Sequence, residues 1–142
     1  MKALLKTNQK TITMKSVSCK TFTATLTVGL YKGYTQEIIP ISYVKEQIAK
    51  TQQRVLNQFN IVLSAKLTPC EIICLGQEEP SVTIDFIQYP KFQYEEQILK
   101  EAILFFTKNI QESLHQNRVV VVFRDETIMM ENSNKIDPNI KI

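Results

Sequence analysis

The clearest pattern in the chain is a strict alternation of apolar and polar residues over positions 21–31, TFTATLTVGLY. A period of two with many β-branched residues predicts a strand that has one buried face. The opposite face of this strand is a ladder of threonines at alternate positions from Thr21 to Thr27. We expect that face either to meet water or to be covered by another copy of the chain.

Two longer segments have helical periodicity. Residues 42–59 place their apolar side chains on one stripe, and Ser42 is the candidate N-cap. Residues 94–116 have a wide apolar face, with glutamates in the first turn and His115 near the end, as the helix dipole prefers. Short extended segments at 61–67, 70–75, 82–89 and 118–123 predict further strands, and Pro69 marks an edge strand or a junction between two short strands.

The predicted order is strand, helix, strand, strand, helix, strand. This order indicates an α+β protein with a ferredoxin-like βαββαβ antiparallel sheet and both helices on one face. We expect a basic N-terminal arm over 1–20, a single domain over 21–131 and a polar C-terminal tail over 132–142 that frays. The bare face of such a sheet predicts a homo-oligomer, either a dimer or a small ring.

The charge is distributed unevenly along the 142 residues, whose formal net charge is +3. Residues 1–20 contain five lysines and no acid, which leaves 12 basic and 14 acidic residues for the rest of the chain. The basic character therefore belongs to the arm. We interpret the arm as a solvated tail, with contact to nucleic acid or to an acidic host partner as the alternative.

Several classes of protein are disfavoured by what the sequence lacks. No apolar run approaches the roughly 20 residues of a membrane helix, and the N-terminal residues do not resemble a signal peptide, so we expect a cytoplasmic protein without membrane contact. The three cysteines and one histidine lack zinc-site spacing, and the thiols are expected to be reduced. We expect no metal and no cofactor, because no phosphate-binding loop or nucleophile motif is present.

Candidate site residues follow from an assumed strand arrangement, in which the first and third strands run parallel and the second and fourth run opposite to them. This arrangement predicts one edge that mixes acids and bases: Lys20, Glu78, Glu79, Arg124, Asp125 and Glu126. It predicts a second edge of tyrosines and cations: Tyr31, Lys32, Tyr34, Tyr89, Lys91 and Arg118. Tyrosines among cations suit a phosphate-bearing or planar ligand, so we take the second edge as the ligand-binding site.

The charged triplet Arg124, Asp125 and Glu126 interrupts an apolar run and is the alternative site. Paired carboxylates can divide acid and base roles. Because adjacent residues of an extended chain point to opposite faces, we favour a structural role at the end of a strand. Ile128, Met129 and Met130 then pack either on the same subunit or on a neighbour.

The second half of the chain also resembles a known family. The matching residues follow the pattern E-P, strand, Y-P-[RK]-F, helix, R-V, strand, D-E-T-[IV]-M: Glu79, Pro80, Tyr89, Pro90, Lys91, Phe92, Arg118, Val119, Asp125, Glu126, Thr127, Ile128 and Met129. This pattern is similar to that of small uncharacterised proteins of phage and related genomes. In that pattern a proline often precedes D-E-T, whereas Arg124 stands here. The resemblance implies a mobile-element context and no established activity.

These features favour a non-enzymatic oligomeric binding protein, such as a phage-encoded sponge that sequesters a nucleotide-like signal. The alternatives are a small ferredoxin-like enzyme that uses Asp125 or Glu126 as its acid or base, and a host-interaction protein that acts through its basic arm.

Overall fold

The computed structural model of the chain describes residues 5–7 and 10–140, with side chains from residue 13 onward. Strands β1 (Leu5–Thr7) and β2 (Lys10–Ile12) pair antiparallel within the predicted arm. Lys2 and the side chains of Lys6 and Lys10 lie outside the described part, so the prediction for the basic arm stays a prediction.

The remaining elements build one five-stranded sheet and two helices. Their order is β3 (Thr23–Gly29), α1 (Ile41–Phe59), β4 (Lys66–Cys74), β5 (Gln77–Ile87), α2 (Glu96–Ser113), β6 (Arg118–Phe123) and β7 (Thr127–Glu131). The strands lie in the order β4-β5-β3-β6-β7, and each neighbouring pair is antiparallel. The predicted α+β, ferredoxin-like class is confirmed.

The alternation in β3 determines which face of the sheet is buried. Ala24, Leu26 and Val28 are at most 2% exposed, and they pack with helix residues such as Phe106, whose ring lies 5.1 Å from that of Phe86. The threonines of β3 point to the opposite side, which we call the outer face. On it, the Thr25 hydroxyl donates to Asp85 at 2.6 Å.

The assumed directions of the second and third strands are wrong. β3 and β5 are antiparallel, with Thr23 opposite Ile87 and Gly29 opposite Ser81. The physical reason is that helix α1 returns the chain to start β4 parallel to β3, and the tight turn at Gly76 then reverses it into β5. The turn between β4 and β5 therefore lies at the same end of the sheet as the end of β3.

Other element boundaries also differ from the expectations. Helix α1 begins at Ile41 with Pro40 as its N-cap and no side-chain cap, so Ser42 lies inside the first turn. Residues 61–65 are not a strand, and β4 runs through Pro69 without a break. A proline is tolerated there because β4 is an edge strand.

The sequence prediction missed strand β7. Its residues Ile128 and Met130 pack against the core of the same chain opposite Val121 and Val119, whereas Met129 lies on the outer face. Within the described residues, neither helix is long and apolar enough to cross a membrane.

Candidate functional site

The strand directions divide the predicted tyrosine and cation edge between the two ends of the sheet. Tyr31, Lys32, Tyr34 and Arg118 lie at the end of β3 and the start of β6, whereas Tyr89 and Lys91 follow the end of β5. Strand β5 spans 11 residues, which at roughly 3.3 Å per residue separates the two groups by about 30 Å. The six residues do not form one site.

The guanidinium of Arg118 donates hydrogen bonds to other groups of the protein. Its Nε donates to Oε2 of Glu131 at 2.6 Å. One terminal nitrogen, Nη1, donates to the hydroxyl of Tyr34 at 3.0 Å and to the carbonyl of Lys135 at 2.7 Å. The other, Nη2, reaches the carbonyl of Ser133 at 3.3 Å. Arg118 therefore fastens the chain after β7, and the predicted role in ligand binding would compete with these bonds.

The chain after β7 is held to the end of the sheet at Asn132, Ser133 and Lys135. We call residues 132–140 the C-terminal strap. Asn132 donates its N–H to the carbonyl of Asn117 at 2.9 Å, and Asn117 Nδ2 donates to the carbonyl of Lys135 at 3.1 Å. The ammonium of Lys135 lies 5.9 Å from the centre of the Tyr34 ring. These bonds hold the first part of the predicted polar tail against the sheet; residues 141 and 142 lie outside the described part, and the expectation that the tail frays stays a prediction.

The strap forms one wall of a cavity of about 360 Å³. The turn between β4 and β5, the residues after β3 and the strap surround this cavity, which contains three carboxylates: Glu78, Glu79 and Asp137. We call it the acidic cavity. Of the residues that the structure describes, no lysine or arginine lines it.

Glu79 is the distinctive group of the acidic cavity. Since side chains alternate along β5, Glu79 points to the outer face, where its carboxyl lies over Gly29. Partial burial raises the pKa of Glu79 above its ordinary value, and the negative charge of Asp137 raises it further. A half-buried carboxyl with a raised pKa beside a cavity is a typical candidate for proton transfer or for binding a cation.

A buried amide faces the same point. Gln116 is 7% exposed, and its Nε2 donates to the carbonyls of Tyr31 at 2.7 Å and Leu114 at 2.9 Å. These two bonds fix which way the amide points. Its Oε1 consequently lies 3.1 Å from the position that a β-carbon on Gly29 would take, next to the carboxyl of Glu79.

The predicted cluster of acids and bases is divided as well. Arg124, Asp125 and Glu126 form the turn between β6 and β7, at the end of the sheet away from Glu78 and Glu79. Glu126 pairs with Lys100 at 3.0 Å, and Lys20 lies 3.8 Å from Glu96. The cavity beside Arg124 and Asp125 is about 100 Å³, much smaller than the acidic cavity. This geometry favours the structural interpretation of the triplet.

The sequence prediction missed Asp137 and Gln116, and it placed Glu79 at the wrong end. The signal for Glu79 was present, because Gly29 replaces a threonine in the ladder and thereby leaves space beside β5. The position of Asp137 depends on the strap, for which the sequence has no periodic signal.

Comparisons with known proteins give matches only among solved structures. No family model matches the chain, and no curated protein matches it. A phage SAM lyase in its apo state is similar over 81% of this chain and 92% of its own, with a TM-score of 0.61 and 20% identity. A phage SAM lyase in complex with S-methyl-5'-thioadenosine is similar over 87% of this chain and 98% of its own, with a TM-score of 0.60 and 19% identity.

At this identity the likeness establishes the shared fold. It also corrects the functional prediction, since both similar structures are of lyases and the prediction of a non-enzymatic sponge is therefore wrong. Small size, the expected oligomer, the edge of tyrosines and cations and the lack of a familiar catalytic motif had favoured a non-enzymatic role, and these properties are compatible with an enzyme. One of the two neighbours holds a small molecule, which agrees with the expectation of a small-molecule ligand.

Proposed function

We propose that the chain is an enzyme of the lyase class that binds SAM (S-adenosylmethionine) in the acidic cavity and releases methylthioadenosine. The observation that carries this proposal is the charge of the cavity. Three carboxylates line it, and the lysines and arginines of the described residues do not. The similar fold of the phage SAM lyases supports the choice of substrate.

The carboxylates favour a cationic ligand over a phosphate-bearing one. SAM carries a positive sulfonium and an ammonium group, and both are attracted by carboxylates within a few ångströms. A phosphate group would instead be repelled by Glu78, Glu79 and Asp137. The phosphate-bearing ligand suggested by the sequence therefore does not suit this cavity.

Release of methylthioadenosine from SAM requires that the bond between sulfur and the γ-carbon breaks and that its electron pair moves to sulfur. The γ-carbon, which loses its bond to sulfur, can form a new bond in two ways that need no water. In an elimination, a base removes a proton from the β-carbon, and the C–H electron pair forms a double bond to the γ-carbon. In a ring closure, the carboxylate of SAM attacks the γ-carbon and forms a lactone.

Glu79 contributes to both routes. In the elimination its carboxylate accepts the β-proton, and its raised pKa makes it a stronger base than an ordinary glutamate. In the ring closure no proton moves, and Glu79 orients the cationic part of SAM. Gln116 limits where the carboxyl can lie, because its own amide is fixed by two carbonyls.

The experiment is incubation of the full chain with SAM, with chromatography for methylthioadenosine and mass spectrometry for the four-carbon product. We expect methylthioadenosine with either the unsaturated amino acid or the lactone. Glu79→Gln should abolish turnover by elimination, and it should only slow ring closure. Recovery of intact SAM at high enzyme concentration would overturn the proposal.

We also propose that the chain assembles as a homo-oligomer through the outer face. This face carries partly exposed apolar side chains, including Ile87, Val122 and Met129, beside the threonines of β3. Large apolar groups on an open sheet face are typical of subunit contacts.

The resemblance to small proteins of phage genomes is kept as a proposal about context. Its pattern residues fall into two groups in space. Glu79, Pro80 and Arg118 lie at the end with the acidic cavity, whereas Tyr89–Phe92 and Asp125–Thr127 lie at the other end.

A further inference from the structure

Asp137 reaches the acidic cavity only because the C-terminal strap turns back across the end of the sheet. Two residues before Asp137, Ser133 and Lys135, are held by hydrogen bonds that their backbone carbonyls accept. Both carbonyls accept from the guanidinium of Arg118, the first residue of β6. The position of one cavity carboxylate thus depends on an arginine that is absent from the cavity lining.

We propose that Arg118 is a positioning residue of the acidic cavity, which fastens the strap to β6 so that Asp137 faces Glu79. The positioning of Asp137 by Arg118 does not depend on the proposed function, whereas its effect on catalysis rests on that function.

The guanidinium is suited to this task because its donors form a rigid fork. The Glu131 carboxylate holds Nε at 2.6 Å on the neighbouring strand β7. The remaining nitrogens are thereby aimed at the strap and at the hydroxyl of Tyr34, which itself donates to the carbonyl of Lys135 at 2.9 Å. A lysine at this position would keep the charge but could not supply donors in three fixed directions.

The pKa of Glu79 depends on the position of the strap. The titratable groups that line the cavity with Glu79, among the described residues, are Tyr31, Cys74, Glu78 and Asp137. With the strap in its observed position, burial and the charge of Asp137 raise the pKa of Glu79. Release of the strap removes part of both causes, so the pKa of Glu79 should fall towards its ordinary value.

The sign of the change separates positioning from a direct charge effect. If Arg118 acted on Glu79 through its own positive charge, its removal would raise the pKa of Glu79. If it acts through the strap, its removal lowers that pKa. Arg118→Lys sharpens the distinction, because it keeps the positive charge and should nevertheless lower the pKa.

The experiment is a carbon-13 NMR titration of glutamate carboxyls in the full chain, with the Glu79 signal assigned by its loss in Glu79→Gln. We expect lower Glu79 pKa values in Arg118→Ala, Arg118→Lys and Asp137→Asn. In the double variant Arg118→Lys with Asp137→Asn, the shift should be smaller than the sum of the two single shifts, because both changes act through Asp137. Arg54→Ala is the matched control, since Arg54 bonds Asn109 on the helix surface at 2.8 Å and should leave Glu79 unchanged.

An unchanged or raised pKa in Arg118→Lys, together with a lowered pKa in Asp137→Asn, would overturn the role of Arg118. If Arg118→Ala does not fold, Arg118→Lys and Asp137→Asn decide the question alone.

The catalytic readout is the pH profile of kcat/KM for methylthioadenosine release. The acid limb should move to lower pH in Arg118→Lys and Asp137→Asn, in step with the pKa of Glu79. If the wild-type chain has no lyase activity, the proposed function is wrong. The NMR titration would still test the strap in that case, so the two failures are distinguishable.

Discussion

The carboxyl group of Glu79 lies directly over the backbone of Gly29, where a side chain on Gly29 would overlap it. A β-carbon there would stand 3.2 Å from the carboxyl carbon and closer still to Oε1. Gly29 lies in β3 and is not among the residues with positive φ. The glycine is therefore required for space, and its conformational freedom is not needed.

Gly29→Ala should displace the carboxyl of Glu79, because the overlapping atom ends a flexible side chain, and it should shift Gln116 Oε1, which lies 3.1 Å from the new β-carbon, by a few tenths of an ångström. A misplacement of about 1 Å at a reacting group can cost about 100-fold in rate. We expect kcat/KM for methylthioadenosine release to fall by about 10-fold or more, with an unchanged midpoint of thermal unfolding to within a few degrees. Thr27→Ala, on the same strand and face, is the control. Normal turnover in Gly29→Ala would show that Glu79 does not act from this position.

Glu79→Gln should stabilise the chain at neutral pH while it impairs turnover. Because the folded-state pKa is raised, the ionised carboxyl weakens the folded state above that pKa, and the cost disappears below the unfolded pKa. We expect a gain of about 0.5–1 kcal/mol at pH 7, a modest value since Glu79 is only half-buried, and no gain at acidic pH below the ordinary pKa of glutamate.

Urea unfolding at several pH values measures this difference. Glu78→Gln, at the exposed neighbouring position, is the matched control and should show a smaller effect. A loss of stability at pH 7 in Glu79→Gln would contradict the raised pKa.

The sequence was sufficient to predict the helices and strands in which the hydrophobic periodicity is strong. The alternation around Leu26 identified β3 and its buried face, and the apolar face of α2 around Phe106 identified the second helix. Both patterns are set by burial against the core, which the sequence records directly. Strand β7 was missed because only Ile128 and Met130 of its five residues pack on the core.

The site was harder to predict because it depends on strand direction and on a non-repetitive segment. Strands β4 and β5 both run opposite to their assumed directions, which moves Glu79 from one end of the sheet to the other. Asp137 belongs to a strap that is held by carbonyl groups of Ser133 and Lys135, and backbone carbonyls have no sequence signature. Arg118 was predicted as a ligand-binding residue, and its hydrogen bonds to Glu131, Tyr34 and the strap were not predictable from the sequence.

Glu126→Ala tests the structural interpretation of the charged triplet. Glu126 pairs at 3.0 Å with Lys100, whose side chain is 19% exposed and lies 4.9 Å from the centre of the Phe123 ring. Loss of this partly buried pair should destabilise the chain by about 1 kcal/mol, as is usual for a lost interaction at a sheet edge. Turnover of SAM should not change, because the acidic cavity lies at the opposite end.

Glu46→Ala is the control for this variant, since its pair with Lys50 is 59% exposed at both side chains and should contribute little. If Glu126→Ala folds with normal stability but loses turnover, the triplet is the active site and the acidic cavity is not.

Thr25→Lys tests assembly through the outer face. Thr25 lies in β3 and donates to Asp85 on the adjacent strand at 2.6 Å, so a lysine there can pair with Asp85 and leave the single chain folded. In an assembly the same lysine would be buried against a second copy, where an ammonium group is costly to desolvate. We expect light scattering at micromolar concentration to give an oligomer for the wild type and a single chain for Thr25→Lys. Gln53→Lys, on the exposed surface of α1, should remain assembled; a wild-type mass of one chain, or an intact oligomer in Thr25→Lys, would exclude this face as the contact.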